Sequence, residues 1–242
     1  MKIAILAGGK GTRLSELTKN IPKPMVRIGS IPILVHIMSL YAKYGFRKFY
    51  ILVGYKGKVI KNYFKNFKKS NVPFKFKLKK KNCLITIIDS GRNSMTGGRL
   101  KKMNKFLTKN EEFMFTYGDG ISNVNLKNLI KFHRKYKKLI TVTAVRPPAR
   151  FGEIIIKKNL VKSFKEKPQV SQGWINGGFF ITKGYFLNFI KNNKTILEKT
   201  PLELASKKKQ LTVFKHYKFW KCMDTLRDKN ELEEIYKKNK FY

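Results

Sequence analysis

The sequence predicts an α/β protein with a Rossmann-like, mixed but mostly parallel sheet that helices cover on both faces. Two observations predict this fold class. Short apolar runs typical of buried strands alternate with segments of helical periodicity from residue 2 to about residue 145, and this order builds parallel sheets. After Pro147 and Pro148 the pattern shifts towards shorter strands, which makes the predicted sheet a mixed one.

The first predicted element is a buried strand over residues 2–7, an apolar run that leads directly into glycines. A helix follows over 32–43, where apolar residues recur at helical spacing. Most later strands of the first half end at glycine-containing turns. The predicted strands lie at 46–53, 84–88, 112–117 and 140–145, and the predicted helices at 59–67, 97–107 and 126–136. The basic run 75–82 is interpreted as a loop or an exposed hairpin.

The chain has 242 residues and is predicted to form a single domain, 1–242, because no linker or repeat interrupts it. Its second half contains short strands and then helices. The strands are predicted at 153–157, 160–165 and 176–182, and the helices at 197–207 and 226–238. We divide the domain into halves of about 1–145 and 146–242.

The formal net charge of +40 is extreme and invites a nucleic-acid or anionic-membrane interpretation. However, only nine of the 54 basic residues are Arg, the usual reader of base edges. The lysines spread along the chain, and the abundance of Lys, Asn, Ile and Phe is typical of AT-rich codons. We therefore expect a solvated basic surface and no specific nucleic-acid partner, with a field that favours anionic substrates.

Cysteine usage argues against a disulfide scaffold. Cys83 and Cys222 are the only cysteines and lie far apart, which predicts a reducing, cytoplasmic compartment. Both are expected to be buried as small apolar groups. The three histidines are scattered and match no metal-ligand spacing. Since the N-terminus shows no basic leader and the longest apolar stretch, 33–42, is short, we expect no signal peptide and no membrane span.

The loop after the first strand suits a phosphate ligand. Gly8, Gly9 and Gly11 let the backbone turn and approach a ligand, and its N–H groups can form an anion-binding concavity. Arg13 and Lys23, the latter between two prolines, add cations suited to a polyphosphate. The spacing is not that of a P-loop, nor of the dinucleotide fingerprint, because a leucine stands where the third glycine belongs. For the glycines alone, the alternative is a turn in an unrelated α/β domain.

Two aspartates are candidate magnesium ligands. Asp119 lies between two glycines just after a predicted strand, where open α/β sheets bind their ligands. A carboxylate at that position can hold Mg²⁺ against phosphate oxygens, and the alternative is an ordinary turn aspartate. Asp224 precedes a predicted helix, and on local grounds we expect it to be the N-cap of that helix.

The segment from the first strand to Pro22-Lys23-Pro24 resembles the signature of the sugar-1-phosphate nucleotidyltransferase family. Further motifs resemble the glucose-1-phosphate cytidylyltransferase branch of that family and extend the likeness over nearly the whole chain. They lie at 94–100 (SMTGGRL), 116–120 (TYGDG), 150–152 (RFG), 164–168 (FKEKP), 175–180 (INGGFF) and 219–228 (FWKCMDTLRD). Several ordered motifs at matching separations are far more specific than any one of them.

The resemblance implies a nucleotidyltransferase-type fold and a cofactor, Mg²⁺. It also implies an enzyme that joins CTP and α-D-glucose 1-phosphate into CDP-glucose and pyrophosphate, for deoxysugar and surface polysaccharide synthesis. A phosphate monoester is largely dianionic at neutral pH, so this chemistry needs no serine, cysteine or histidine nucleophile. The protein has to position two anions that repel each other and to stabilise the pyrophosphate leaving group.

The resemblance also assigns roles to individual residues. Arg13, Lys23 and Asp119 would be catalytic, and Asp119 and Asp224 would hold Mg²⁺. The nucleotide-binding half, about 1–145, would bind CTP through Leu6, Ala7, Gly8, Gly9, Gly11, Thr12, Arg13, Thr96, Arg99 and Gly118. The sugar-phosphate-binding half, about 146–242, would use Glu166, Lys167, Asn176 and Gly177.

The chain departs from the family pattern in two places. The stretch 72–84 is shorter than its counterpart and nearly all basic, so the family's subunit assembly is not carried over, although we expect a homo-oligomer. Lys10, within the glycine loop, is expected to point to solvent.

One alternative function is the same chemistry with another nucleotide or sugar phosphate. The other is a nucleic-acid or anionic-surface binding protein that keeps the fold without activity, and the presence of the four charged residues assigned to catalysis and metal binding argues against it.

Overall fold

A computed structural model of the chain describes residues 1–147, 153–157, 159–165, 173–238 and 241. The strands are β1 (Lys2–Ala7), β2 (Arg27–Ile28), β3 (Ile31–Pro32), β4 (Lys48–Val53), β5 (Pro73–Leu78), β6 (Lys81–Asp89), β7 (Glu112–Tyr117), β8 (Gly120–Ser122), β9 (Ile140–Val145), β10 (Glu153–Lys157), β11 (Leu160–Lys165), β12 (Ile175–Lys183), β13 (Leu211–His216) and β14 (Trp220–Cys222). The α-helices are α1 (Ser15–Thr18), α2 (Ile33–Lys43), α3 (Gly57–Tyr63), α4 (Thr96–Lys101), α5 (Leu126–Tyr136), α6 (Thr200–Lys207) and α7 (Leu226–Lys237). Short 3₁₀ turns lie at Thr12–Leu14, Lys23–Met25, Lys102–Phe106 and Gly184–Phe189.

An eight-stranded sheet with the order β13-β9-β12-β7-β1-β4-β6-β5 forms the centre of the molecule. The central strand β1 is parallel to both of its neighbours, β4 and β7. Strand β12 runs antiparallel to β7 and β9, and β5 runs antiparallel to β6 at the far edge. The sheet is therefore mixed but mostly parallel, as the sequence predicts.

Both faces of this sheet are buried, which is visible along β1. Ile3 and Ile5 belong to a core that includes residues of α2 and α5. Ala4 and Leu6, which alternate with them and so point to the opposite face, belong to a second core with Leu100 of α4. Because apolar side chains cover both faces, the strands are near-continuous apolar runs, as expected for buried parallel strands.

Most predicted elements are present, with their ends shifted by a few residues. The strands predicted at 112–117 and 140–145 and the helix predicted at 126–136 have the bounds of β7, β9 and α5. The helix predicted at 97–107 is shorter, because α4 ends at Lys101 and a 3₁₀ turn continues to Phe106. The basic run at 75–82 forms the exposed hairpin between β5 and β6.

The sequence pattern missed the six-residue strand β13 and several strands of two or three residues. Strand β13 extends the sheet parallel to β9, and the three-residue strand β14 pairs antiparallel with β8. In that pair Cys222 lies opposite Gly120, so the chain that follows β14 lies beside the loop that follows β7. Such short strands depend on their partners and carry too few residues for a periodicity signal. None of the helices in the described ranges has the length and apolar composition needed to cross a bilayer.

Candidate active site

A cleft of about 600 Å³ opens at the carboxyl ends of β1 and β7, where open α/β sheets bind their ligands. Many of the sequence-predicted site residues line it, namely Leu6, Gly9, Gly11, Thr12, Arg13, Lys23, Thr96, Arg99, Gly118, Asp119, Asn176, Gly177 and Asp224. Ala7 and Gly8 are buried behind the loop at the end of β1. Glu166 and Lys167 lie outside the described residues, so the structure leaves their predicted role in sugar-phosphate binding as a prediction.

The glycine loop is shaped by close approaches that a side chain would prevent. A Cβ atom on Gly8 would lie 2.7 Å from Nε of Arg99 and 2.7 Å from the backbone nitrogen of Gly54. Gly11 has a φ of +68°, a conformation that glycine adopts without strain. Lys10 in the same loop is exposed, in agreement with the expectation that it points to solvent.

The side chain of Lys23 joins the two predicted metal ligands. Its Nζ donates to Oδ2 of Asp119 at 2.8 Å and to Oδ1 of Asp224 at 2.5 Å, although Lys23 is buried. Burial would lower the pKa of Lys23, but the charge of Asp119 and the hydrogen bonds to Asp119 and Asp224 outweigh it, so this pKa is raised. Lys23 therefore stays charged and holds the carboxylates together.

Prolines fix the turn that carries Lys23. The turn Lys23–Met25 follows Pro22 and includes Pro24. A Cβ atom on Gly118 would lie 2.9 Å from Cγ of Pro24 and 3.0 Å from the carbonyl oxygen of Leu6. The glycine before Asp119 thus allows the ends of β1 and β7 to approach the Lys23 turn. Of the two glycines around Asp119, Gly118 serves this packing, and the Asp119 side chain points to Lys23.

The expectation that Asp224 caps α7 is wrong. The N-cap is Thr225, whose Oγ1 accepts from the backbone N–H of Asp228 at 3.2 Å. The Oδ2 atom of Asp228 accepts in return from the backbone N–H of Thr225 at 2.9 Å, which completes a capping box. The Asp224 side chain instead accepts from Lys23 and, at 2.6 Å, from Nη1 of the exposed Arg13. The physical reason is that Thr225 supplies the cap, so the Asp224 carboxylate faces the cleft.

Asp119, Cys222 and Asp224 offer three possible metal-ligand atoms that lie within 4.8 Å of one another. The prediction that both cysteines are buried apolar groups holds for Cys83, but Cys222 is only partly buried and lines the cleft. Burial, together with the nearby carboxylates of Asp119 and Asp224, raises the pKa of the Cys222 thiol. The position of Cys222 in the cleft was not predictable from the sequence pattern, because it depends on the pairing of β14 with β8.

Arg99 extends from α4 towards the glycine loop. Its side chain is buried, and within the described part of the chain its Nε has no hydrogen-bond partner. Burial lowers the pKa of Arg99, while the charge of Glu198 opposes this effect. Because Arg99 also lines the cleft, its guanidinium beside Gly8 and Gly9 is suited to an anionic ligand there.

A second polar cluster lines the cleft around Glu198, a residue that sequence reasoning missed. Glu198 accepts from the hydroxyl of Tyr117 at 2.5 Å and from Oγ1 of Thr96 at 2.6 Å. Nδ2 of Asn176 donates to the Tyr117 hydroxyl at 3.3 Å. Burial and the negative charge of Glu198 raise the pKa of Tyr117, which keeps this hydroxyl protonated. Glu198 lies in none of the motifs named above, so only the tertiary structure shows that it belongs to the cleft.

Trp220 closes this side of the cleft. Its Nε1 donates to the carbonyl oxygen of Gly177 at 2.7 Å, which fixes the indole ring against the start of β12. A Cβ atom on Gly177 would lie 2.9 Å from Cγ1 of Val145, so glycine is required where the strands pack closely. Tyr117 and Trp220 both lie within motifs that resemble the family, at 116–120 and 219–228, but the resemblance assigned no role to either residue.

Known proteins resemble this chain over nearly its whole length. The family described as "Nucleotidyl transferase" matches residues 2–235. The glucose-1-phosphate cytidylyltransferase of Salmonella typhimurium is 45% identical over 99% of this chain and 97% of that protein. A probable glucose-1-phosphate cytidylyltransferase of Bacillus subtilis is 37% identical over 98% of this chain and 96% of that protein.

The structural comparison gives the same fold. The crystal structure of HddC from Yersinia pseudotuberculosis superimposes with a TM-score of 0.72 at 23% identity, covering 97% of this chain and 99% of that chain. At this identity the likeness establishes the fold alone. Together with the family match over nearly all residues and the full-length relatives, it places this chain in the nucleotidyl transferase family.

Proposed function

We propose that this protein is a Mg²⁺-dependent cytidylyltransferase that joins CTP and α-D-glucose 1-phosphate to give CDP-glucose and pyrophosphate. Two relatives support this choice of substrates. They are named glucose-1-phosphate cytidylyltransferase and probable glucose-1-phosphate cytidylyltransferase, and this chain is 45% and 37% identical to them over nearly their full length. The observation that carries the chemistry is the meeting of Lys23 and Arg13 with the carboxylates of Asp119 and Asp224 beside the glycine loop.

The reaction is an electrostatic problem. The phosphate of the sugar attacks the α-phosphate of the nucleotide, and both reactants are anions. Lys23 and Arg13 supply positive charge, and the backbone N–H groups of the glycine loop supply oriented donors. Charge that develops on the departing pyrophosphate meets groups that the fold has already positioned, so little reorganisation is required in the transition state.

The donor set fits magnesium. Mg²⁺ is typically bound through one or two carboxylates together with substrate phosphates, and Asp119 and Asp224 present two carboxylates to the same cleft. When bound there, the ion would supply Lewis-acid stabilisation of phosphate oxygens. Lys23 is ion-paired with both carboxylates and offsets part of their charge, so its ammonium group keeps them close before substrates bind.

We assign the nucleotide to the half of the chain before about residue 145. The glycine loop, Thr12 and Arg13 would contact the triphosphate, and the segment 94–99 would help to recognise the base. Arg99 supports this proposal, since its guanidinium lies against Gly8 and lines the cleft.

We assign the sugar phosphate to the half after about residue 146, with Tyr117 contributed from the first half. Asn176 and Glu198 are polar groups that can bond sugar hydroxyls, and Trp220 offers an apolar face beside them. Glu166 and Lys167 remain the proposed carboxylate and cation for the sugar and its phosphate. We also propose a cytoplasmic location, as expected from the cysteine content, and a homo-oligomeric state.

The test is a panel of the four NTPs against several sugar 1-phosphates, read by pyrophosphate release with Mg²⁺ present and after chelation. We expect the highest kcat/KM for CTP with glucose 1-phosphate and a loss of activity on chelation that added Mg²⁺ restores. Turnover with a different pair would replace the substrates and keep the reaction class. Absence of turnover with every pair, combined with a salt-dependent shift of DNA, would instead support the binding-protein alternative.

A further inference from the structure

Cys222 lies where a metal bound by the two aspartates would meet it. Its Sγ and one carboxylate oxygen each from Asp119 and Asp224 lie within 4.8 Å of one another. The register of β14 against β8, with Cys222 opposite Gly120, holds the thiol beside Asp119. The position therefore follows from the backbone pairing and does not depend on one flexible side chain.

The three donors differ in chemical character. Carboxylate oxygens are hard ligands that suit Mg²⁺, whereas thiolate sulfur is a soft ligand that selects ions such as Zn²⁺. Mg²⁺ would be bound by the carboxylate oxygens and not by the thiol. A thiophilic ion can use all three atoms, so it gains a ligand at this site that Mg²⁺ does not gain.

We propose that Cys222 makes the Asp119–Asp224 site bind thiophilic divalent cations, such as Zn²⁺ or Cd²⁺, in competition with Mg²⁺, and that such binding blocks nucleotidyl transfer. The inference rests on the metal role of the two aspartates in the proposed function. When the ion binds, a metal–sulfur bond forms, the S–H bond breaks and the proton passes to solvent, with no change of oxidation state. The ammonium group of Lys23, which lies between the carboxylates, has to be displaced by either ion.

The chain provides a matched control in its other cysteine. Cys83 lies in the core with 2% of its surface exposed, and its Sγ lies 3.8 Å from the carbonyl oxygen of Lys81. Cys222 is partly exposed and lines the cleft. Only Cys222 is therefore placed to meet an ion that enters from solvent together with two carboxylates.

The experiment is a Cd²⁺ titration of the intact, metal-stripped protein, followed by the ultraviolet charge-transfer band between thiolate and Cd²⁺. We expect one Cd²⁺ and one released proton per chain in the wild type and in Cys83→Ser. The band should be lost in Cys222→Ser, and Asp224→Asn should weaken Cd²⁺ binding by more than about tenfold. Excess Mg²⁺ should raise the Cd²⁺ concentration at the midpoint, because both ions compete for one site.

Three outcomes would overturn the proposal: no band in the wild type, an undiminished band in Cys222→Ser, or a Cd²⁺ midpoint that Mg²⁺ leaves unchanged. Circular dichroism checks that the variants are folded, and Cys222→Ala is the second variant if serine disturbs the fold. The proposed function fails separately, through absence of pyrophosphate release with Mg²⁺ in the wild type. The thiolate band does not depend on that activity, so the two failures are distinguishable.

Discussion

The ammonium group of Lys23 lies 2.5 Å from Oδ1 of Asp224, a residue 201 positions later in the chain. This contact, with the matching one to Asp119, ties the turn after α1, the end of β7 and the start of α7 into one site. Removing one member leaves the others with unbalanced charge in a partly buried place, which is costly. The site is therefore expected to respond sharply to charge-removing substitutions.

The first prediction concerns Asp224. Asp224→Asn keeps the shape of the side chain but removes the charge proposed to hold Mg²⁺, so turnover should fall by about 100-fold or more. Turnover is measured by pyrophosphate release at saturating CTP and sugar phosphate, and the melting temperature is measured in parallel.

The control is Thr225→Ala, which removes the observed helix cap. It should lower the stability by about 1 kcal/mol without a comparable loss of turnover. Near-wild-type turnover in Asp224→Asn would refute the metal role of this residue.

The two aspartates show how far the sequence could be interpreted. Asp119 follows a predicted buried strand, β7. Its place beside the carboxyl ends of the parallel strands was therefore predictable from the local sequence pattern. Asp224 precedes Thr225 and Asp228, and this run contains two candidate caps. Local chemistry alone does not choose between them. The ion pair with Lys23 directs the Asp224 carboxylate away from the helix end. Thr225 is therefore the N-cap, and it forms the capping box with Asp228.

Other parts of the site were not predictable from the sequence either, because they also depend on contacts between residues far apart in the chain. The contact of Glu198 with Tyr117 joins residues 81 positions apart, and no periodicity or motif in the chain signals it. The place of Cys222 depends on a strand of three residues. By contrast, β1 and its glycine loop are specified by neighbours in sequence, and the prediction of this strand agrees with the structure.

The second prediction concerns the cations. Lys23→Met and Arg13→Gln should each lower kcat/KM, because both groups are proposed to meet charge on the departing pyrophosphate. The loss should be larger for Lys23, which is buried between two carboxylates, than for the exposed Arg13. Lys10→Gln, an exposed residue of the same loop, serves as the charge-matched control. A rise in KM for CTP with kcat unchanged would mean that these cations contribute uniform binding only.

The third prediction compares the two glycines that flank Asp119. An added Cβ at Gly118 would meet Pro24 at 2.9 Å and the Leu6 carbonyl at 3.0 Å, whereas at Gly120 the nearest contact is Nε1 of Trp220 at 4.0 Å. Gly118→Ala should therefore destabilise the fold by about 1–3 kcal/mol, and Gly120→Ala should change the stability little. Urea unfolding of both variants provides the comparison. Equal stabilities would contradict the close packing of Pro24 on the strand end.

The fourth prediction concerns acid stability. His133 is buried, and its Nδ1 lies 2.8 Å from Oγ1 of Thr141. Burial lowers the pKa of His133 from its usual 6.5; the charge of Glu112 opposes this, and those of Lys183 and Arg134 add to it. The unfolded chain therefore binds a proton more readily than the folded chain. The contribution of His133 is fully present above pH 6.5 and is lost as the pH falls through the lowered pKa.

The measurement is the urea midpoint of the wild type and of His133→Asn at about pH 7.5 and about pH 5.5. The asparagine amide can replace the bond to Thr141 but does not titrate, so this variant should lose less stability on acidification. His36 and His216 are present in both proteins, and their contributions cancel in the comparison. An identical pH dependence for the two proteins would show that His133 does not control this loss.

The fifth prediction concerns the choice of nucleotide. Cytosine offers an exocyclic amino donor and an N3 acceptor where uracil offers a carbonyl and an N–H, so a site built for one base leaves buried groups unpaired with the other. We expect kcat/KM for CTP to exceed that for UTP by about 100-fold or more, with the segment 94–99 contributing to the difference. Arg99→Met should lower kcat/KM for CTP and for UTP, because the Arg99 guanidinium lies against Gly8 and Gly9 of the phosphate-binding loop. Steady-state kinetics with the two nucleotides at fixed glucose 1-phosphate test both statements. Equal kcat/KM for CTP and UTP in the wild type would defeat the cytidine preference while leaving nucleotidyl transfer itself in place.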